Sequence, residues 1–114
     1  HEGPQGFQAG VTGQAQTAIQ PGMVTSNEPG YYLEDKFGIR IENLILCVPS
    51  EYEDFYQFET ITYFPIETKS IVNSLMTIEE INWLNDYHTT VYKKLSPKLD
   101  TKAQKWLAEK CQTI

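Results

Sequence analysis

The chain has 114 residues, of which 40% are hydrophobic and 12% aromatic, enough for one small folding unit with a modest core. Its formal charge of −6, with the basic residues gathered near the C-terminal end, argues against nucleic acid, because phosphate binding draws on clustered Lys and Arg. No apolar run approaches the roughly 20 residues of a membrane span, and no charged segment leads into an apolar one, so membrane and secretory readings lack support.

The chain opens on His1-Glu2-Gly3-Pro4, without Met and without a strand or helix ahead of the segment Asn27-Glu28-Pro29-Gly30. It reads as the back part of a larger protein. Residues 1–22 hold Gly3, Gly6, Gly10, Gly13 and Gly22 among Gln, Ala and Thr, a loop-like composition without hydrophobic periodicity. From Gly22 to Glu28 the pattern predicts a strand, Pro29-Gly30 predicts a turn, and Tyr31-Tyr32-Leu33 leaves it as an extended piece.

Glu34 to Gly38 form a polar connection, and one strand is predicted from Ile39 to Val48, alternating at first and fully apolar at its end. In its alternating part Arg40 and Glu42 share one face and Ile39 and Ile41 the other. Glu51 to Asp54 read as a surface loop, and Phe58 to Phe64 are rich enough in β-branched and aromatic residues to predict a third strand, which Pro65 limits. Thr77-Ile78-Glu79-Glu80 is a capping box, and Ile81, Leu84, His88, Val91 and Leu95 come after it at helical spacing. Ser96-Pro97 ends or kinks that helix, and Asp100 caps a last one with Ala103, Trp106, Leu107 and Lys110 on one side. Strands first and two helices after them predict an α+β fold of antiparallel strands with terminal helices packed on or beside the sheet.

Glu28 and Glu42 are the residues with the best claim to chemistry. They are expected on neighbouring short strands of a hairpin, and paired carboxylates suit hard divalent ions. Two plainer readings stand beside this: Glu28 as a turn residue before Pro-Gly, and Arg40 with Glu42 as a structural ion pair across strands. An arginine supporting a metal ligand satisfies both. His88 falls on the apolar stripe of the capped helix, where a hydrogen-bonded structural histidine is the better account. Trp83, Tyr87 and Trp106 read as core or interface. Cys47 and Cys111 share no metal-ligand spacing and read as free thiols, consistent with a reducing compartment.

The blocks Asn27-Glu28-Pro29-Gly30-Tyr31-Tyr32 and Phe37-Gly38-Ile39-Arg40-Ile41-Glu42-Asn43, preceded by His1-Glu2-Gly3-Pro4, resemble the C-terminal part of aminopeptidase P, the Xaa-Pro aminopeptidases of the M24 metallopeptidases. Further matches to the long form of that family are Phe58 to Thr62, Pro65 to Lys69, Leu75-Met76-Thr77, Trp83 to His88 and Trp106-Leu107. The resemblance implies the C-terminal part of a pita-bread domain over residues 1–68 and a C-terminal helical extension over 69–114. It implies two metal ions, usually manganese, held by two aspartates, one histidine and two glutamates. Glu28 and Glu42 match the two glutamates, Glu42 bridging both metals and Glu28 acting also as the base. His1 matches a histidine that contacts substrate, and Arg40 an arginine behind the ligands. The aspartates and the ligand histidine belong upstream of residue 1.

The function expected from this is that of a fragment of a metal-dependent aminopeptidase that hydrolyses the N-terminal Xaa-Pro bond with a metal-activated water, inactive on its own. Its partners would be peptides with proline second and another copy through the C-terminal helices; its location would be cytoplasmic. The competing readings are a non-catalytic pita-bread module that binds peptide or protein, and a relative such as a prolidase or methionine aminopeptidase. The glutamate pair alone does not separate the enzymes, and retention of Glu28, Arg40 and Glu42 together disfavours the module.

Overall fold

Alternating side chains give the first half of the chain five short strands, with a turn at Glu34-Asp35-Lys36. The strands are β1 (Val24–Asn27), β2 (Gly30–Leu33), β3 (Phe37–Arg40), β4 (Asn43–Pro49) and β5 (Tyr56–Thr60). The turn expected at Pro29-Gly30 is not made, because Gly30 opens a strand and pairs with Arg40. The computed structural model describes residues 5–6 and 16–114, so His1 lies outside the described residues. By its contacts the chain divides into His1–Thr62 and Tyr63–Ile114, two units rather than the single one that its length suggests.

In the first unit β4 is the middle strand of an antiparallel sheet ordered β1-β4-β5, and β2 pairs with β3 in a separate two-stranded ribbon. The central place of β4 accounts for its apolar run: Asn43, Ile45 and Cys47 are buried, while Leu44, Leu46 and Val48 on the other face are half-buried. The polar connection expected over Glu34 to Gly38 is shortened to residues 34–36, because Phe37 and Gly38 already belong to β3. It closes the ribbon, with the Lys36 N–H donating to the Leu33 carbonyl at 3.0 Å and Asp35 in the left-handed region at φ 56°. Asp is one of the few side chains that tolerates that conformation.

Two strand expectations are corrected. The predicted strand from Ile39 to Val48 is divided at Ile41-Glu42, and its halves, β3 and β4, belong to different sheets. Pro29 is the cause. The Ile41 N–H donates to the Pro29 carbonyl at 3.4 Å, but proline has no N–H to return the bond, so the ladder lapses there. The third strand runs over Tyr56–Thr60 instead of Phe58 to Phe64. Its partner β4 begins at Asn43; beyond Thr60 the Ile61 N–H still reaches the Leu44 carbonyl, but the Leu44 N–H is met by the Thr62 hydroxyl and not by backbone.

The second unit is built on α1 (Ile78–Leu95) and α2 (Thr101–Lys110). Both bonds of the predicted capping box are made: the Glu80 N–H donates to the Thr77 hydroxyl at 3.2 Å, and the Thr77 N–H to the Glu80 carboxylate at 2.8 Å. A 3₁₀ turn at Ser96–Lys98 comes after α1, and Asp100 caps α2 by accepting from the Ala103 N–H at 2.8 Å. Leu84, Tyr87, Val91 and Leu107 form the core, flanked by Ile66, Ile71, Met76, Leu95, Leu99 and Ile114. Trp83 and Trp106 lie at its margin, about half exposed, in ring contact with Tyr87 and Phe64.

His88 is structural, as its place on the stripe implied. Fully buried, its Nε2 accepts from the Ile66 N–H at 3.1 Å, which requires a neutral ring protonated at Nδ1. Nδ1 has no well-formed hydrogen bond, although the Gln112 backbone acts on the ring. Burial is the main cause that holds this imidazole below its usual value of 6.5. The folded chain therefore keeps His88 neutral, whereas the unfolded chain takes up a proton below about pH 6.5. The His88 contribution to stability is complete above that pH and is lost as pH falls from it toward the folded value. The urea midpoint of the helical signal should be lower at pH 5.5 than at pH 7.5, and His88→Gln should remove most of that difference. Equal midpoints in the unsubstituted chain would contradict this account.

The Glu28 and Glu42 carboxylate face

The two glutamates sit just off the strands, in the connections β1–β2 and β3–β4, and not within them as expected. Register still brings them together. Asn27 pairs with Asn43 and Gly30 with Arg40, and the intervals between those pairs are of equal length, so Glu28 falls opposite Glu42. Antiparallel partners share a face and side chains alternate along each strand. One face therefore presents Glu28, Gly30 and Tyr32 beside Gly38, Arg40 and Glu42, and the other presents Tyr31, Leu33, Phe37 and Ile39.

Arg40 pairs with Glu28 across the ribbon, and not with Glu42 as the structural alternative proposed. Its Nη1 donates to Glu28 Oε2, its Nε donates to the Tyr32 hydroxyl, and its guanidinium carbon lies 5.7 Å from the centre of the Tyr32 ring. The Ser26 hydroxyl donates to Glu28 Oε1 at 2.7 Å. Each oxygen of Glu28 thus has a donor, and a carboxylate retains further lone pairs for other partners. The Ser26 hydrogen bond first, and then Arg40, hold the Glu28 carboxyl below its usual value of 4.5. Hydrogen bonding by Tyr32 is the first cause that raises the Arg40 guanidinium above its usual value.

Glu28 is ionised at neutral pH, as an ordinary glutamate is, and stays ionised in more acid solution. A carboxylate whose folded value is depressed stabilises the fold above about pH 4.5, and that contribution is lost as pH falls through the folded value. Side-chain carboxyl NMR should place the Glu28 midpoint below 4.5, and Ser26→Ala should move it upward. A midpoint unaffected by that substitution would remove Ser26 as the principal cause.

Tyr32 and Ser26 were not among the expected site residues. The available signal was the even spacing of Ser26, Glu28, Gly30 and Tyr32, which puts all four on one side of an extended chain. The donor set on this face is all carboxylate and suits hard divalent ions. Among the described residues, no group of three or more His, Cys, Asp or Glu side chains is placed to hold a metal, so the pair is at most part of a centre.

The antiparallel ribbon with its facing glutamates, followed by two capped helices, matches two family profiles in succession. Residues 1–49 match metallopeptidase family M24, and residues 54–114 match the C-terminal region of peptidase_M24. The chain belongs to the M24 metallopeptidase family. It is the C-terminal part of a pita-bread domain with the family's C-terminal region.

Among its relatives, the protein named "Probable Xaa-Pro aminopeptidase P" of Coprinopsis cinerea is 43% identical over 122 aligned positions, covering 100% of this chain and 20% of the relative. Aminopeptidase P2 of Arabidopsis thaliana is 44% identical over 114 positions, covering 94% of this chain and 16% of the relative. The crystal structure of X-prolyl aminopeptidase from Caenorhabditis elegans, described as a cytosolic enzyme with a di-nuclear active site, superposes with a TM-score of 0.76 at 39% identity. That match covers 84% of this chain and 17% of the other. The chain spans about a fifth or less of the length of these relatives.

Proposed function

We propose that this chain is the C-terminal part of a dinuclear metallopeptidase that hydrolyses the bond between an N-terminal residue and a following proline. The observation that carries the reading is the placement of Glu28 opposite Glu42, with Arg40 on the same face bonded to Glu28. In this reading both carboxylates are metal ligands, and further ligands come from the rest of a longer polypeptide. Manganese is the proposed metal, two ions in number. Such ions, when bound, supply Lewis-acid polarisation of the scissile carbonyl and lower the pKa of an attacking water.

The residues of this chain have distinct parts in that scheme. Ser26 and Arg40 orient the Glu28 carboxylate, which is ionised at neutral pH as an ordinary glutamate is and so is free to receive a proton from the attacking water. Arg40, tied to Tyr32, fixes the direction in which that carboxylate points. Glu42 would help to hold the ions, and His1 would contact the substrate. Residues beyond 68 form the helical extension, whose half-exposed Trp83 and Trp106 suit a homodimer contact. The proposed location is cytoplasmic.

The test is hydrolysis by the full-length protein after loading with Mn²⁺. Cleavage of Xaa-Pro-Yaa tripeptides without cleavage of Xaa-Pro dipeptides supports an aminopeptidase, and the reverse selectivity identifies a prolidase. Binding of such peptides without turnover in the Mn²⁺-loaded protein would replace the enzyme reading with that of a peptide-binding module. Light scattering on the same sample tests the dimer, and a monomer would overturn the contact through the C-terminal helices.

A further inference from the structure

The Tyr32 ring lies across the two glycines of the ribbon. A β-carbon on Gly38 would stand 2.7 Å from Tyr32 Cδ1 and 3.0 Å from Cε1, and one on Gly30 would stand 2.7 Å from the Tyr32 hydroxyl and 2.9 Å from Arg40 Cγ. At Gly30 the obstruction includes the free end of the tyrosine, which can give way. At Gly38 it is the edge of the ring close to its attachment, so the whole ring must turn. Gly38 is also the register partner of Tyr32, the position where opposed β-carbons come closest across a ribbon.

Backbone conformation does not explain the glycine. Among the described glycines Gly22 has a positive φ, whereas Gly38 lies outside that region and its backbone accepts alanine. What the missing side chain provides is space. We propose that Gly38 is a positioning residue of the carboxylate site: its bare α-carbon seats the Tyr32 ring, and through Tyr32 and Arg40 it fixes the Glu28 carboxylate. The catalytic consequence rests on the metallopeptidase reading above; the geometric one does not.

Turning the ring away from Gly38 carries the Tyr32 hydroxyl off Arg40 Nε and the ring off the guanidinium. Arg40 is then oriented by Glu28 alone. Its side chain is 53% exposed, so solvent offers it many alternative arrangements. The carboxylate loses a fixed donor without losing its charge, which alters ligand direction more than ligand identity.

The test is a double-substitution cycle in the full-length protein with Gly38→Ala, Tyr32→Ala and both. It reads the Mn²⁺ dissociation constant of metal-stripped protein by calorimetry, with kcat and KM on an Xaa-Pro-Yaa peptide. Gly38→Ala should weaken Mn²⁺ binding and lower kcat by about tenfold, the scale of losing a ligand's supporting partner, with little change in KM. In the Tyr32→Ala background the same change should cost less than about twofold, because the ring it displaces is gone. Multiplying losses, or a Gly38→Ala protein that behaves like the unsubstituted one, would overturn the proposal.

If Gly38→Ala alone does not fold, the double variant decides. A soluble double variant that matches Tyr32→Ala supports the seat, and an insoluble one overturns it. A crystal structure of the full-length protein carrying Gly38→Ala, alone or with Tyr32→Phe, separates this inference from the functional reading. The ring should be displaced and its edge off the α-carbon of residue 38; a ring still seated there sinks the proposal, whatever the enzyme cleaves.

Discussion

Glu42→Gln in the full-length protein should reduce kcat on an Xaa-Pro-Yaa peptide by more than a hundredfold and weaken Mn²⁺ binding, while leaving the fold intact. Changes to groups that merely support metal ligands cost about 10 to 100-fold, so loss of a carboxylate proposed as a ligand itself should exceed that range. Glutamine keeps the shape of the side chain and removes the charge and half of its acceptor capacity for a hard ion. Glu42 is exposed at the break between β3 and β4, where substitutions usually change stability by no more than about 0.5 kcal/mol. Circular dichroism and calorimetric Mn²⁺ titration alongside kinetics would separate a folding defect from lost ligation. Turnover close to that of the unsubstituted protein would remove Glu42 from the proposed site.

Leu107→Ala should destabilise the helical unit by about 2 to 5 kcal/mol, the range for truncating a buried leucine. Leu107 is 1% exposed and belongs to the core with Leu84, Tyr87 and Val91, and it is the buried residue of α2. At ten residues, α2 is too short to persist through propensity alone, so its docking depends on this side chain. Trp106, beside it in sequence but 44% exposed, should cost clearly less when replaced by alanine, despite its size. Urea unfolding followed by helical ellipticity measures both. A larger loss for Trp106→Ala would show that the margin of the core, and not its centre, holds α2.

The helices were legible in the sequence because their signals are local. A capping box needs residues three apart, and the stripe from Leu84 to Val91 needs only the helical repeat. Strand limits were less legible. Whether Ile39 to Val48 is one strand or two depends on Pro29, which is distant in sequence and becomes the partner of Ile41 only after the ribbon forms. The end of β5 depends in the same way on where β4 begins. Composition correctly placed Ile61 to Phe64 among strand formers, but a strand also requires a backbone partner.

For the site, the sequence by itself determined the cast: two glutamates and an arginine in motifs that resemble those of a family, and a histidine whose position on an apolar stripe made it structural. Chemistry of this kind is fixed by residue type and short spacing. Tertiary structure alone decided the pairing. Arg40 bonds to Glu28 and not to Glu42, Tyr32 enters through Arg40, and Gly38 matters because a ring lies on it. The physical reason is that cross-strand register, which joins residues far apart along the chain, sets these distances, whereas alternation along one strand specifies only the face that each side chain occupies.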